Sequence, residues 1–204
     1  MNLLIATGNL GKAREFREML GDGRFAWSNL AARGDAPAVE ETGRSFRANA
    51  CLKASYYATH FQTWTIADDS GLSVDALDGA PGVLSARWAT RHAAGAGDAD
   101  NNALLLRQLA DVPDARRTAR FVCVLALADP AGRIIVTVRD VVEGRILRQS
   151  RGANGFGYDS LFMIDEMNRT TAELEPAEKH RFSHRGKALR RLRQIMDSLN
   201  LPRA

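Results

Sequence analysis

The stretch Leu3-Leu4-Ile5-Ala6-Thr7-Gly8-Asn9-Leu10-Gly11-Lys12 joins an apolar run to a glycine-bearing turn and a lysine. A short apolar run closed by glycine reads as a buried strand, Leu3 to Ala6, and the residues from Lys12 to Leu20 carry helical spacing. Working outward, strands are expected at Thr63 to Ala67, Ala119 to Ala128, Arg133 to Val142 and Arg145 to Arg148, with Pro130-Ala131-Gly132 as a hairpin turn. Further helices are expected at Ser45 to His60, Asp100 to Leu109 and Arg185 to Leu199. In the last of these, Ala188, Leu189, Leu192, Ile195, Met196 and Leu199 recur along one face, and Arg190, Arg191, Arg193 and Gln194 fall between them. Interleaved strands and helices followed by a hairpin-rich middle give an α/β class with a mixed sheet, not a purely parallel doubly wound one.

The 204 residues, 45% hydrophobic and 25% charged, suffice for one sizeable core, and a single domain over 1–204 is expected. No apolar run approaches the roughly 18 residues of a membrane-spanning helix, and no basic, cleavable leader precedes Leu3, so a cytoplasmic protein without a membrane partner is expected. Cys51 and Cys123 stand far apart with no CxxC pattern, which argues against structural zinc and against a disulfide framework. A net charge of +4 favours anionic partners, nucleic acid and small phosphate esters alike. The arginines of the last helix form the one basic stripe, and its spacing makes it mostly a solvated face.

Four constellations carry chemistry. Thr7 to Lys12 lies between strand and helix, where glycines let the backbone approach a ligand and a helix start offers N–H groups, so it reads as a phosphate cradle or an ordinary glycine turn. It is not a P-loop, because only Asn9 and Leu10 separate Gly8 from Gly11 and Ala13 follows Lys12. Glu40-Glu41-Thr42-Gly43 and Asp68-Asp69-Ser70-Gly71 supply two carboxylate pairs, the second placed where a strand ends in a glycine turn; such pairs suit magnesium, which takes oxygen ligands. Gly152-Ala153-Asn154-Gly155-Phe156-Gly157-Tyr158-Asp159 is a loop in which Phe156 or Tyr158 could stack on a flat ligand. Glu178 to Lys187 brings His184 and Arg185 to the start of the last helix, with Ser183 as its candidate cap.

Taken in order, these motifs resemble the inosine triphosphate pyrophosphatase family, the non-canonical purine nucleotide (XTP/dITP) diphosphatases. The likeness includes Ala6 to Lys12, Glu40 to Gly43, Phe46 through Asn49-Ala50 with Leu52-Lys53-Ala54, Ala67 to Leu72, Gly79 to Val83, Ser85 to Arg87, Arg120-Phe121, Gly155 to Asp159, Ala172 to Leu174, Glu178-Lys179 and Ser183 to Gly186. The resemblance implies an elongated mixed α/β domain with two lobes around a central nucleotide-binding cleft, forming a homodimer. It implies hydrolysis of ITP, dITP and XTP to the monophosphate and pyrophosphate with Mg2+, keeping deaminated purines out of DNA and RNA, and no nucleic-acid partner. By the same resemblance the substrate is bound by Thr7, Gly8, Asn9, Leu10, Gly11, Lys12, Ser70, Phe156, Gly157, Tyr158, Asp159, Lys179, His184 and Arg185. The metal falls to Glu40 and Asp69, and Asp69 also accepts the proton; Glu41 and Asp68 stand as supporting acids. Asn154, Ser160 and Trp88 depart from residues frequent in the family, and Ser160 leaves the loop after Asp159 less rigid.

Overall fold

In the computed structural model, residues 2–20, 26–33 and 36–199 are described. The apolar run forms β1 (Asn2–Ala6), buried from Leu3 onward. Helix α1 (Leu10–Leu20) starts two residues before Lys12, because Asn9 caps it: Asn9 Oδ1 accepts the Lys12 N–H at 2.9 Å and the Asn9 carbonyl accepts the Ala13 N–H at 2.9 Å. β1 runs parallel to β2 (Ala26–Asn29), with Leu3 opposite Trp27, and parallel to β3 (Trp64–Val74), with Ile5 opposite Ile66. The helix expected at Ser45 to His60 is α2 (Phe46–Phe61), capped by Ser45 Oγ, which accepts the Ala48 N–H.

The remaining helices are α3 (Trp88–Arg91), α4 (Asp98–Gln108), α5 (Pro176–Phe182) and α6 (His184–Ser198). The remaining strands are β4 (Thr118–Ala128), β5 (Ile134–Ile146), β6 (Phe162–Ile164) and β7 (Arg169–Thr170). β4 and β5 join through the expected turn, where Asp129 Oδ1 accepts the N–H groups of Ala131 and Arg133. The described strands form one sheet in the order β2-β1-β3-β4-β5-β6-β7, with β6 antiparallel to both β5 and β7. Parallel pairs at one end and antiparallel pairs at the other make the sheet mixed, as the interleaved sequence pattern implies.

Two expectations change. β3 does not stop at Ala67; it runs on to Val74, so Asp68 and Asp69 are mid-strand. Gly71 is not turning the chain: a side chain there would run into Ser85 and the Gly82 carbonyl, so glycine serves a close approach. The two runs Arg133 to Val142 and Arg145 to Arg148 are one strand, β5, in which Gly144 lies against the Met163 backbone.

The chain divides into two compact units, each discontinuous in sequence: Met1–Asp69 with Cys123–Asp140 and Gly186–Ala204, and Ser70–Val122 with Val141–Arg185. The first has a core of Leu3, Ile5, Phe16, Ile66, Cys123, Leu125, Leu127 and Val138, onto which α6 lays Ala188, Leu189, Leu192 and Met196. Leu199, one turn beyond, is exposed. The second is built on Leu72, Val74, Leu105, Leu109, Phe121, Tyr158 and Phe162. No described helix is long and apolar enough to cross a membrane.

Candidate functional site

Within the first unit, β3 presents consecutive carboxylates to different partners. Successive strand residues point to opposite faces, which separates the two charges. Asp68 Oδ1 accepts from Lys12 Nζ at 2.6 Å and Asp68 Oδ2 accepts from the Cys123 thiol at 3.3 Å, so Asp68 holds the lysine of the first loop in place. Asp69 Oδ1 accepts from Lys53 Nζ at 3.0 Å, and the same ammonium donates to Glu41 Oε1 at 2.6 Å. Asp69 Oδ2 is buried and makes no hydrogen bond among the described residues.

Burial pushes the Asp69 carboxyl above its ordinary pKa; the Lys53 and Lys12 ammoniums pull against that, and Glu41 adds to the rise. Burial works against the charge on Lys53, yet Asp69 and Glu41 outweigh it and hold its pKa above the ordinary lysine value. Glu40, expected beside the metal, is exposed, and Glu41 is the acid that shares Lys53 with Asp69. Gly43 packs against α2, its N–H donating to Asn49 Oδ1 at 2.8 Å, which anchors the Glu40-Glu41 segment. In the first loop Thr7 Oγ1 accepts the Asn9 N–H, and Gly8 has open space where a side chain would be.

Within the second unit, Gly155 and Gly157 take positive φ values of 82° and 63°, the left-handed conformation that favours glycine. They bracket Phe156, which is partly buried. Lys179 Nζ lies 5.0 Å and Arg185 Cζ 5.8 Å from the Phe156 ring centroid, within cation–π range. Arg185 Nη2 also donates to Ser70 Oγ at 2.7 Å. Asp159 Oδ2 accepts from Lys179 Nζ at 2.6 Å and from the Phe156 N–H at 2.8 Å, and Asp159 Oδ1 accepts from Thr171 Oγ1. His184 stacks on Phe121, centroids 4.9 Å apart and rings 14° from parallel.

An aromatic ring beside an ammonium and a guanidinium, and a half-engaged buried carboxylate beside a lysine, are parts suited to a nucleotide. The Ham1 family profile matches residues 3–195. The chain belongs to the Ham1 family. A dITP/XTP pyrophosphatase of Exiguobacterium sibiricum is 52% identical over 192 residues, covering 94% of this Ham1 chain and 95% of the relative. One from Thermosynechococcus vestitus is 48% identical, covering 97% and 96%. Among solved structures, a HAM1 protein from Coxiella burnetii superposes with a TM-score of 0.85 at 38% identity, covering 97% of this chain and 99% of that one. A nucleoside-triphosphatase/dITP/XTP pyrophosphatase from Mycobacterium abscessus gives a TM-score of 0.75 at 45% identity, covering 94% and 98%.

In this Ham1 chain the residues expected at the site fall into distinct surroundings. Lys12, Asp68, Asp69 and Glu41 gather in the first unit, and Ser70, Phe156, Asp159, Lys179 and Arg185 in the second. Tyr158, one of the two candidate stacking rings, is buried in the core with its hydroxyl donating to the Ser85 carbonyl, which leaves Phe156 as the ring beside the cations. Lys53 lay inside the family likeness without a role, yet it links both acids. Its signal was readable: Asn49, Lys53 and Tyr57 share one face of α2 with buried alanines, and a lysine on such a face requires a carboxylate partner.

Proposed function

We propose that this Ham1 chain hydrolyses ITP, dITP and XTP to the nucleoside monophosphate and pyrophosphate. The observation that carries the reading is Asp69, a carboxylate buried in mid-strand with one oxygen on Lys53 and the other unengaged. Burial raises the pKa of this carboxyl above its ordinary value, which makes it a stronger proton acceptor than a solvated aspartate. The names of the relatives, dITP/XTP pyrophosphatases at about half identity over nearly the whole chain, support the substrate class.

In the reaction, water oxygen attacks the α-phosphorus. The bond from that phosphorus to the oxygen bridging the β-phosphate breaks, and its electron pair leaves with pyrophosphate. A proton of the water passes to Asp69 Oδ2. Lys12, held by Asp68, and the amides at the start of α1 draw the leaving phosphates.

The donors also fit magnesium. The described residues include no group of three or more His, Cys, Asp or Glu placed to hold a metal, but magnesium commonly needs only one or two carboxylates together with substrate phosphates and water. Asp69 and Glu41, with Glu40 next in the chain, would hold it, and when bound it would offset charge on the triphosphate. Phe156 is the platform for the base, and Arg185 and His184 are donors for its 6-oxo group; the 6-amino group of adenine would meet donors with a donor.

Pyrophosphate release from ITP, XTP, GTP and ATP, with magnesium and with chelator, tests the reading. Rates on ITP and XTP about a hundredfold above ATP are expected. Equal rates on all four would remove the selective role, and turnover surviving the chelator would remove the metal. Asp69→Asn should lower kcat about a thousandfold with an unchanged circular dichroism spectrum. The family likeness also implies a cytoplasmic homodimer; light scattering should give about twice the 22.3 kDa of one chain.

A further inference from the structure

Two side chains at the start of α4, four residues apart, both grip Gly157. Asp98 Oδ2 accepts the Gly157 N–H at 2.6 Å, and Asn102 Nδ2 donates to the Gly157 carbonyl at 2.9 Å. Residues at this spacing share one helix face, so a single rigid element presents both groups. Asn102 Oδ1 is buried and makes no hydrogen bond among the described residues, so Gly157 is the polar tether of that amide.

These contacts fix the residue next to Gly157. A peptide unit is planar, so the conformation of Phe156 is the rotation between the plane carrying its own N–H and the plane carrying the Gly157 N–H. Asp159 holds the first plane and Asp98 the second. Asn102 then holds the next plane, which sets the backbone of Gly157 itself, a residue with φ 63° and no neighbour within 4 Å of where a side chain would start. Glycine pairs leave a loop with many accessible conformations, and freezing them costs about 1–2 kcal/mol per residue. External anchors meet that cost before a ligand arrives.

We propose that Asp98 and Asn102 are positioning residues that act through Gly157 to hold the Phe156 ring ready for the purine base. The inference rests on the reading of Phe156 as base platform. Because the base is held alike in the ground and transition states, losing the anchors weakens binding and leaves the bond-breaking step alone.

The test uses Asp98→Ala, Asp98→Asn and Asn102→Asp. Asp98 is exposed, so its truncation empties no core. Asp98→Asn keeps an acceptor oxygen, and Asn102→Asp sets a carboxylate oxygen against the Gly157 carbonyl. With dITP, KM should rise about tenfold in Asp98→Ala and Asn102→Asp while kcat stays within about twofold, and Asp98→Asn should restore most of the affinity. Amide hydrogen exchange in the nucleotide-free protein should quicken across Gly155 to Asp159 in the first two variants and stay unchanged in β1 and β3.

Unchanged exchange in that loop, or a fall in kcat at constant KM, would overturn the proposal. If the wild-type protein fails to hydrolyse dITP, the enzymatic reading fails separately. Loop exchange still decides whether Asp98 and Asn102 set the Phe156 backbone.

Discussion

Asp68 and Asp69 are neighbours in the chain with opposite duties, and the pleat of β3 is the reason. The pair was legible as a candidate site from the sequence, because adjacent carboxylates need a cation or burial to coexist. Their separation was not legible, since glycine at position 71 predicts a turn as readily as a close approach. The approach here is to Ser85, whose Oγ accepts the Leu72 N–H at 2.9 Å and donates to the Gly82 carbonyl at 2.6 Å. The two acids should therefore respond differently to the same conservative change. Asp68→Asn breaks a buried pair with Lys12 and should lower unfolding free energy by about 1–3 kcal/mol in denaturant titration. Asp69→Asn relieves a buried charge and should cost little stability while turnover collapses. Equal stability losses in the two variants would contradict the assignment of Asp68 as anchor.

Elements with long periodic patterns were read to within about two residues: the expected starts at Lys12, Ser45, Asp100 and Arg185 became Leu10, Phe46, Asp98 and His184. β2, β6 and β7 escaped because runs of four, three and two residues carry no usable alternation. The joint between α4 and β5 was also invisible, since it depends on one buried cation. Arg117 donates from Nε to the Ile146 carbonyl at 2.8 Å, from Nη1 to Leu109 at 2.6 Å and from Nη2 to Leu147 at 2.9 Å. Leu109 follows the last residue of α4, where helix carbonyls lack partners in their own helix. Arg117→Met keeps the stem and strands these carbonyls, so a loss of about 3 kcal/mol or more is expected in the unfolding free energy. Arg117→Lys reaches fewer of them and should lie between, whereas a change under about 1 kcal/mol for Arg117→Met would show that water replaces the guanidinium.

At the scale of the molecule, the α/β class and the four longer strands were legible from periodicity, but the two units, each discontinuous in sequence, depend on contacts between distant segments that periodicity does not encode. Contacts of shorter range, all inside the second unit, shape the response to acid. Glu173 is held below its ordinary pKa by the Thr170 N–H first and by Arg151 next, and Glu178 by Arg169 and the Glu175 N–H. A carboxyl depressed in the folded state stabilises that state above its unfolded pKa, and the contribution disappears as pH falls through the folded value. Asp69 has the opposite sign, because its raised pKa disfavours folding once the carboxyl ionises. The depressed glutamates fasten the segment from β7 to the start of α5, with Arg169 donating to Glu178 at 3.0 and 3.1 Å and Glu173 bonding Arg151 at 2.9 and 3.2 Å. The midpoint of thermal unfolding should therefore be nearly level from neutral pH down to about 4.5, the ordinary glutamate range, and then decline. Glu173→Gln should lower the midpoint at pH 7 and reduce the steepness of the acid decline, because the variant has one fewer depressed carboxyl to protonate. An acid decline of unaltered slope in Glu173→Gln would place the sensitivity elsewhere, and a variant as stable as wild type at pH 7 would remove Glu173 from the brace altogether.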